Sequence, residues 1–167
     1  LLTDPLPRVD GRDRECLEFD VLSPRLRWID HGSAECGALV ELRREILRRP
    51  LGLDFTDEQL AAERDHLHLG AWDGARAVGC LLLVARGSGV AQMRQVAVAA
   101  DAQGRGIGRL LVEEAESEAR RRGWTRLILH ARDAAIPFYV KLGYSTEGEA
   151  YTEVGIPHRT MAKALRP

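Results

Sequence analysis

Residues 95–109 read Gln-Val-Ala-Val-Ala-Ala-Asp-Ala-Gln-Gly-Arg-Gly-Ile-Gly-Arg and run directly into a charged, amphipathic segment. Val96, Ala97 and Val98 suit a strand. Gly104, Gly106 and Gly108 suit a backbone that turns tightly and approaches a ligand with no Cβ in the way. A strand, loop and helix of this composition can aim successive N–H groups, backed by the helix dipole, at a phosphate. Arg105 and Arg109 add positive charge at the same place. Two common phosphate loops do not fit. A Walker loop needs G-x-x-x-x-G-K-[ST], and the chain contains no Gly-Lys-Ser or Gly-Lys-Thr. A dinucleotide fingerprint needs a third glycine where Arg109 stands, and no acid follows about 20 residues on to hold a ribose.

Downstream, Leu110, Leu111, Ala115 and Ala119 form one apolar stripe on a charged helix over 108–122, which Gly123 stops. Residues 125–131 read as a buried strand, 133–142 as a short helix closed by Gly143, and 144–151 and 159–165 as two last strands. Upstream, 66–72, 77–85 and 91–98 are β-like runs, separated by Asp73-Gly74 and Gly87-Ser88-Gly89. Earlier still, 25–30 alternates as a half-buried strand, and Ser33 is placed to cap a helix over 34–49. Thr56 with Gln59 reads as the capping box of a second, short helix. Strands in series followed by a β-α-β crossover predict a mixed sheet, antiparallel at first and parallel where the long helix crosses over. Residues 1–20 read as a leader, with an edge strand around 17–22, ahead of a single domain over 21–167.

A chain of 167 residues can bury its own core without a metal or disulfides. Its 24 basic and 25 acidic side chains nearly cancel, which argues against a protein that coats nucleic acid. No apolar run approaches the roughly 18–20 residues of a membrane span, and the N-terminus lacks the apolar stretch of a signal peptide. A cytoplasmic protein without a membrane partner is the expectation. Cys16, Cys36 and Cys80 are odd in number and far apart, which favours neither a disulfide framework nor a zinc site. His66 and His68 alternate along one run and are expected on one face. No Cys or carboxylate joins them at ligand spacing, so no metal is expected.

Gln103-x-x-Gly106-x-Gly108 after a strand is followed by a helix, a strand and then Ala135-Ile136-Pro137-Phe138-Tyr139-Val140-Lys141-Leu142-Gly143-Tyr144. Together these resemble the GCN5-related N-acetyltransferases (GNAT). Glu153-Val154-Gly155-Ile156-Pro157-His158 and Leu42-Arg43-Arg44-Glu45 are similar to segments of a small bacterial branch of that family. The resemblance implies an α/β fold with a mixed, mostly antiparallel sheet, a splayed central strand pair and flanking helices. It also implies acetyl-coenzyme A as co-substrate, lying where the strand around Val96 leaves the strand around Leu129. Splayed strands leave backbone groups unpaired, and a pantetheine arm with its own amides can satisfy them. By position, the backbones of Val96, Ala97 and Val98 would hold pantetheine and the acetyl carbonyl. Gln103, Gly104, Arg105, Gly106, Ile107, Gly108 and Arg109 would hold the pyrophosphate, and Phe138 would flank the pantetheine. Arg132 stands where many relatives carry asparagine, and is expected to bind the cofactor or an acidic substrate group.

Amine acetylation needs a neutral amine, a polarised thioester and a proton for the departing thiolate. Tyr139 matches the family's usual proton donor, and a phenol is protonated at neutral pH. The carboxylate base of some relatives is replaced by Gln92, which cannot take a proton. His130, Glu153, His158 and an ordered water are the remaining candidates. The expected activity is transfer of acetyl to a primary amine of a small molecule or peptide by direct attack in a ternary complex. The other reading is a non-catalytic acyl-CoA-binding or interaction module on the same fold. A homodimer through the final strands is a further expectation.

Overall fold

Alternating and helical apolar patterns sort the chain into seven strands and four α-helices among the described residues, 23–166, of the computed structural model. Strand β1 (Arg25–Ile29) leads to helix α1 (Ala34–Arg43), whose cap Ser33 accepts from the Cys36 N–H at 3.1 Å. Helix α2 (Asp57–Ala61) opens with the reciprocal Thr56–Gln59 box. Strands β2 (Leu67–Asp73), β3 (Arg76–Gly87) and β4 (Val90–Val98) follow as hairpins. Helix α3 (Ile107–Arg121), β5 (Arg126–Arg132), α4 (Ile136–Lys141), β6 (Ser145–Glu153) and β7 (Ile156–Ala164) complete the order. No helix among the described residues is long and apolar enough to cross a membrane. The expected edge strand around 17–22, and Cys16, lie outside the described residues.

The helix expected over 34–49 is α-helical only to Arg43 and continues as a π-helical turn over Arg44–Arg48. Arg43 and Arg48 both lay their guanidinium groups over Phe55, at 5.1 and 4.5 Å from the ring centroid. Residues five apart stand about 140° around an α-helix, so the wider turn is what brings both onto Phe55. The last strand starts at Ile156, three residues before its expected start at 159. Val154 and Gly155, both at positive φ, make a two-residue hairpin turn that pairs Glu153 with Ile156.

The sheet order is β1-β2-β3-β4-β5-β7-β6, and every pair is antiparallel except β4–β5. That parallel pair is short, running only from Val90↔Arg126 to Met93↔Leu129. Beyond it, β4 stays with β3 as far as Val98↔Gly79, while β5 stays with β7 as far as Arg132↔His158. The two central strands therefore part company after Met93 and Leu129. Helices cover both faces. Leu39 of α1 lies over Gly70, and Ile107 and Leu111 of α3 lie over Gly79 on the opposite face. A Cβ on Gly79 would stand 2.8 Å from the Ile107 side chain, so the close approach of α3 requires glycine there. Ile107, Leu111, Val112, Ala115 and Ala119 are all buried beneath α3, and each large aliphatic among them contributes about 1.5–3 kcal/mol.

Candidate active site

The parting of β4 from β5 leaves the gap-facing edge of β4 without a strand partner from Arg94 onward, an edge whose N–H and C=O groups call for a ligand. A bulge sharpens the bend. Leu82 pairs with Arg94 and Cys80 with Ala97, so β4 carries one extra residue, and Gln95 adopts φ 52°. A non-glycine residue in this region is held by its surroundings. Arg43 Nη1 donates to Gln95 Oε1 at 2.7 Å and to Glu63 Oε1 at 2.9 Å, while Arg43 Nη2 donates to Glu63 Oε2 at 2.8 Å. Gln95 Nε2 closes the ring by donating to Glu63 Oε1 at 3.2 Å. Arg43 and Glu63 are 1% and 4% exposed, so this pair is interior structure. Sequence reading misses it, because Arg43 and Glu63 sit 52 and 32 residues from the bulge they brace.

On one side of the bulge lies a mainly apolar cavity of about 560 Å³. Strand β4 contributes Val96, Ala97 and Val98, and α4 contributes Phe138 and Tyr139. The connecting loop and the start of α3 supply Gln103, Gly104, Gly106, Ile107, Gly108 and Arg109. Arg105 is exposed and does not line it. Gln103 Nε2 donates to the Val98 carbonyl at 3.1 Å and ties the loop to the strand end. Gly106 caps α3 at φ 80°, and the first intrahelical bond there runs from Leu110 N to Gly106 O at 3.1 Å. The N–H groups ahead of Leu110 belong to the open first turn of a 15-residue helix, where phosphate binds well.

A second cavity of about 380 Å³ adjoins it and shares Val96, Ala135 and Tyr139 with the first. The π-helical turn delivers Leu47 and Arg48 to its wall, β3 delivers Arg86, and β4 delivers Gln92 and Arg94. Strand β5 adds His130 and Arg132, and the β6–β7 hairpin adds Glu153 and His158. All three side chains expected as base candidates thus meet in one cavity, and Arg132 lines this cavity rather than the one around the glycine loop. Tyr139 is 7% exposed and stands at the junction. It packs edge-on against Phe138 and Tyr144, with centroids 4.9 and 5.9 Å away. Burial pushes its phenol up to about 12, which holds the proton on the oxygen.

His158 is buried, and its Nδ1 lies 2.8 Å from the Ile156 carbonyl oxygen. A carbonyl only accepts, so Nδ1–H donates, and in the neutral imidazole Nε2 carries the lone pair. His130 Nδ1 stands 3.8 Å from Glu153 Oε2, an ion-pair distance rather than a hydrogen bond, and both groups are exposed. Tyr151 lies between the two imidazoles, edge-on to His130 and stacked on His158. Gln92 is buried and accepts from Arg86 Nε at 2.7 Å.

Away from these cavities, His66 stands just ahead of β2 and His68 lies within it. His68 is joined by a cysteine in space though not at sequence ligand spacing. Its Nδ1 is 3.9 Å from Cys36 Sγ, and the ligand atoms of His31, Cys36 and His68 lie within 4.8 Å of one another. Residues 32 apart in sequence meet because α1 folds back over β2, a contact that local ligand spacing does not reveal.

Comparison with known proteins agrees with this geometry. The Acetyltransferase (GNAT) family matches residues 37–144, from α1 through the end of α4. The uncharacterized N-acetyltransferase YjcF of Bacillus subtilis is 27% identical over 123 residues, covering 73% of this chain and 87% of that protein. Among solved structures, an acyl-CoA N-acyltransferase from Pseudomonas aeruginosa superposes with a TM-score of 0.74 at 26% identity, covering 85% of this chain and all of the other (100%). An aminoglycoside 6'-N-acetyltransferase complexed with coenzyme A superposes with a TM-score of 0.72 at 18% identity, over 86% and 98% of the two chains. With a family match across the splayed strands, the glycine loop and the Tyr139 helix, this chain belongs to the GNAT acetyltransferase family and is an acyltransferase.

Proposed function

We propose that the protein transfers acetyl from acetyl-CoA to the primary amine of a small molecule or peptide, by direct attack within a ternary complex. One observation carries this reading: two cavities of different character meet at Tyr139. The apolar cavity suits acetyl-CoA. Its open helix turn at Gly106–Arg109 accepts pyrophosphate, its unpaired β4 edge accepts the pantetheine amides, and Phe138 covers the arm. A structural neighbour is complexed with coenzyme A, which supports acyl-CoA in this gap. The polar cavity receives the amine.

In this scheme the backbone N–H groups of the bulged stretch at Val96–Ala97 polarise the thioester carbonyl. The amine nitrogen attacks that carbon, the new C–N bond forms and the C–S bond breaks. Tyr139 gives its proton to the departing thiolate, which leaves as CoA thiol, and solvent restores the phenol. His158 accepts the proton lost by the amine, because its Ile156 contact fixes Nε2 as the basic nitrogen. His130 with Glu153 lies at the exposed outer wall, and His158 returns that proton to solvent.

The test has two stages. Calorimetric titration with acetyl-CoA should give micromolar binding, and an amine panel should then release free thiol. Binding of acetyl-CoA without thiol release for any amine would favour the non-catalytic acyl-CoA-binding module instead.

A further inference from the structure

The polar cavity is lined by four arginines, Arg48, Arg86, Arg94 and Arg132, against a single carboxylate, Glu153. This imbalance is local, since the whole chain carries a formal charge of only -1. The four come from four separate elements: the π-helical turn, β3, β4 and β5. Two of them are held in place by uncharged groups that leave the charge uncancelled. Arg48 stacks on Phe55, and Arg86 donates to the neutral amide oxygen of Gln92. Arg94 and Arg132 form no ion pair with any carboxylate among the described residues. The remaining ionisable groups on the wall are His130, His158 and the Tyr139 phenol at the junction. Burial holds nearby His66 below the ordinary imidazole range; Arg94 and Arg86 add to that in a smaller measure, and Glu63 opposes it.

We infer that the acceptor is a small amine that also bears an anionic group, an amino-acid-like molecule whose carboxylate, or an equivalent phosphate, is held by Arg94 and Arg132. This rests on the transfer reading above and narrows its substrate. Guanidinium groups bind carboxylate and phosphate through paired N–H donors. The cavity volume of about 380 Å³ falls within the small-ligand range and fits one amino acid better than a folded partner. Positive charge here serves the chemistry as well. It disfavours the ammonium form of the bound amine, and only the neutral amine attacks. The same charge repels a polyamine, which brings two or more cations and no anion.

The experiment compares free amino acids with their amides, with aminoalkyl phosphates and with polyamines, using acetyl-CoA and thiol release. For at least one anionic amine, kcat/KM should exceed that of its amide or a polyamine by about tenfold or more, and the gap should narrow as salt is raised. Whether carboxylates or phosphates lead identifies the anion. Arg94→Gln and Arg132→Gln should each shrink the ratio of acid to amide by about tenfold. Amides or polyamines turned over as well as the acids would overturn the inference, as would variants that slow acid and amide alike. A second measurement keeps this separate from the transfer reading: titration of the CoA-loaded protein with N-acetyl amino acids and with their amides. Tighter binding of the acids supports the anionic site even if no amine is turned over. Equal binding of acids and amides sinks the inference, even if thiol release is found with some other amine.

Discussion

The two cavities that meet at Tyr139 are built on opposite principles. The apolar one is built mainly on one stretch, Val96–Arg109, which supplies a bulged strand edge, a glycine loop and the first turn of α3, with Phe138 and Tyr139 of α4 beside it. The polar one is made of side chains from the π-helical turn, β3, β4, β5 and the β6–β7 hairpin. A backbone site demands particular φ values and missing Cβ atoms, and those demands are written as glycines in one short stretch. A side-chain site demands only that dispersed residues converge, and it can change its occupant one residue at a time. The apolar cavity is therefore tied to one short stretch of sequence, and the polar cavity to residues that only the fold brings together.

The sharpest way to break that division is Gly106→Trp. The position sits at φ 80°, where a side chain is strained, and lines only the apolar cavity. The acetyl-CoA Kd should rise about a thousandfold, roughly 4 kcal/mol, in a protein whose circular dichroism is unchanged. Unaltered Kd in folded protein would remove the loop from the cofactor site.

Next in size is a change that touches both cavities through the bulge they share. Arg43→Met strands Glu63 without its partner in the interior, where Arg43 is 1% exposed. Breaking a buried pair from one side costs about 3 kcal/mol or more, which lowers Tm by about 10 °C in a chain of this size. The double change Arg43→Met with Glu63→Leu should recover much of that stability yet leave Gln95 unbraced. A stable double variant should then bind acetyl-CoA more weakly than the parent. Full recovery of both stability and binding would show that the bulge needs no brace.

How much of each cavity was legible in sequence follows from the same contrast. The glycine loop, its strand and helix, the N-cap at Ser33, the capping box at Thr56, and the splayed pair are readable because each is local or is tied to a motif. The π-helical turn is not, since the paired stacking on Phe55 that it makes possible is a contact no apolar period reports. Arg48, Arg86 and Arg94 carry no sequence signal, because arginine is abundant in this chain and only the fold gathers these on one wall. The Arg43–Glu63–Gln95 network escaped because charged residues are ordinarily read as solvated. Its one signal was an arginine adjoining the apolar stripe of α1, at Leu39 and Leu42.

Tyr139 belongs to both cavities, and Tyr139→Phe separates their roles. The ring keeps its packing on Phe138 and Tyr144 and only the hydroxyl is lost. Turnover should fall about a hundredfold, while acetyl-CoA affinity changes by less than about twofold. Equal turnover in variant and parent would reduce Tyr139 to a packing residue.

The smallest expected effect is an absence of change, and it tests where the phenol sits. Burial raises Tyr139 from its ordinary 10 to about 12, because the anion is the disfavoured form in a dry site. The proton therefore stays on through pH 10, and kcat should show no alkaline fall from this group up to about pH 10. An exposed phenol would already be half ionised there. Stability has the matching sign. The folded state holds a proton that the unfolded state releases above about pH 10, so stability declines as pH rises from 10 toward 12. An alkaline limb near pH 9 that disappears in Tyr139→Phe would mean that the phenolate forms easily. The dry junction between the cavities would then be wet, and the proton on the leaving thiolate would have to come from water.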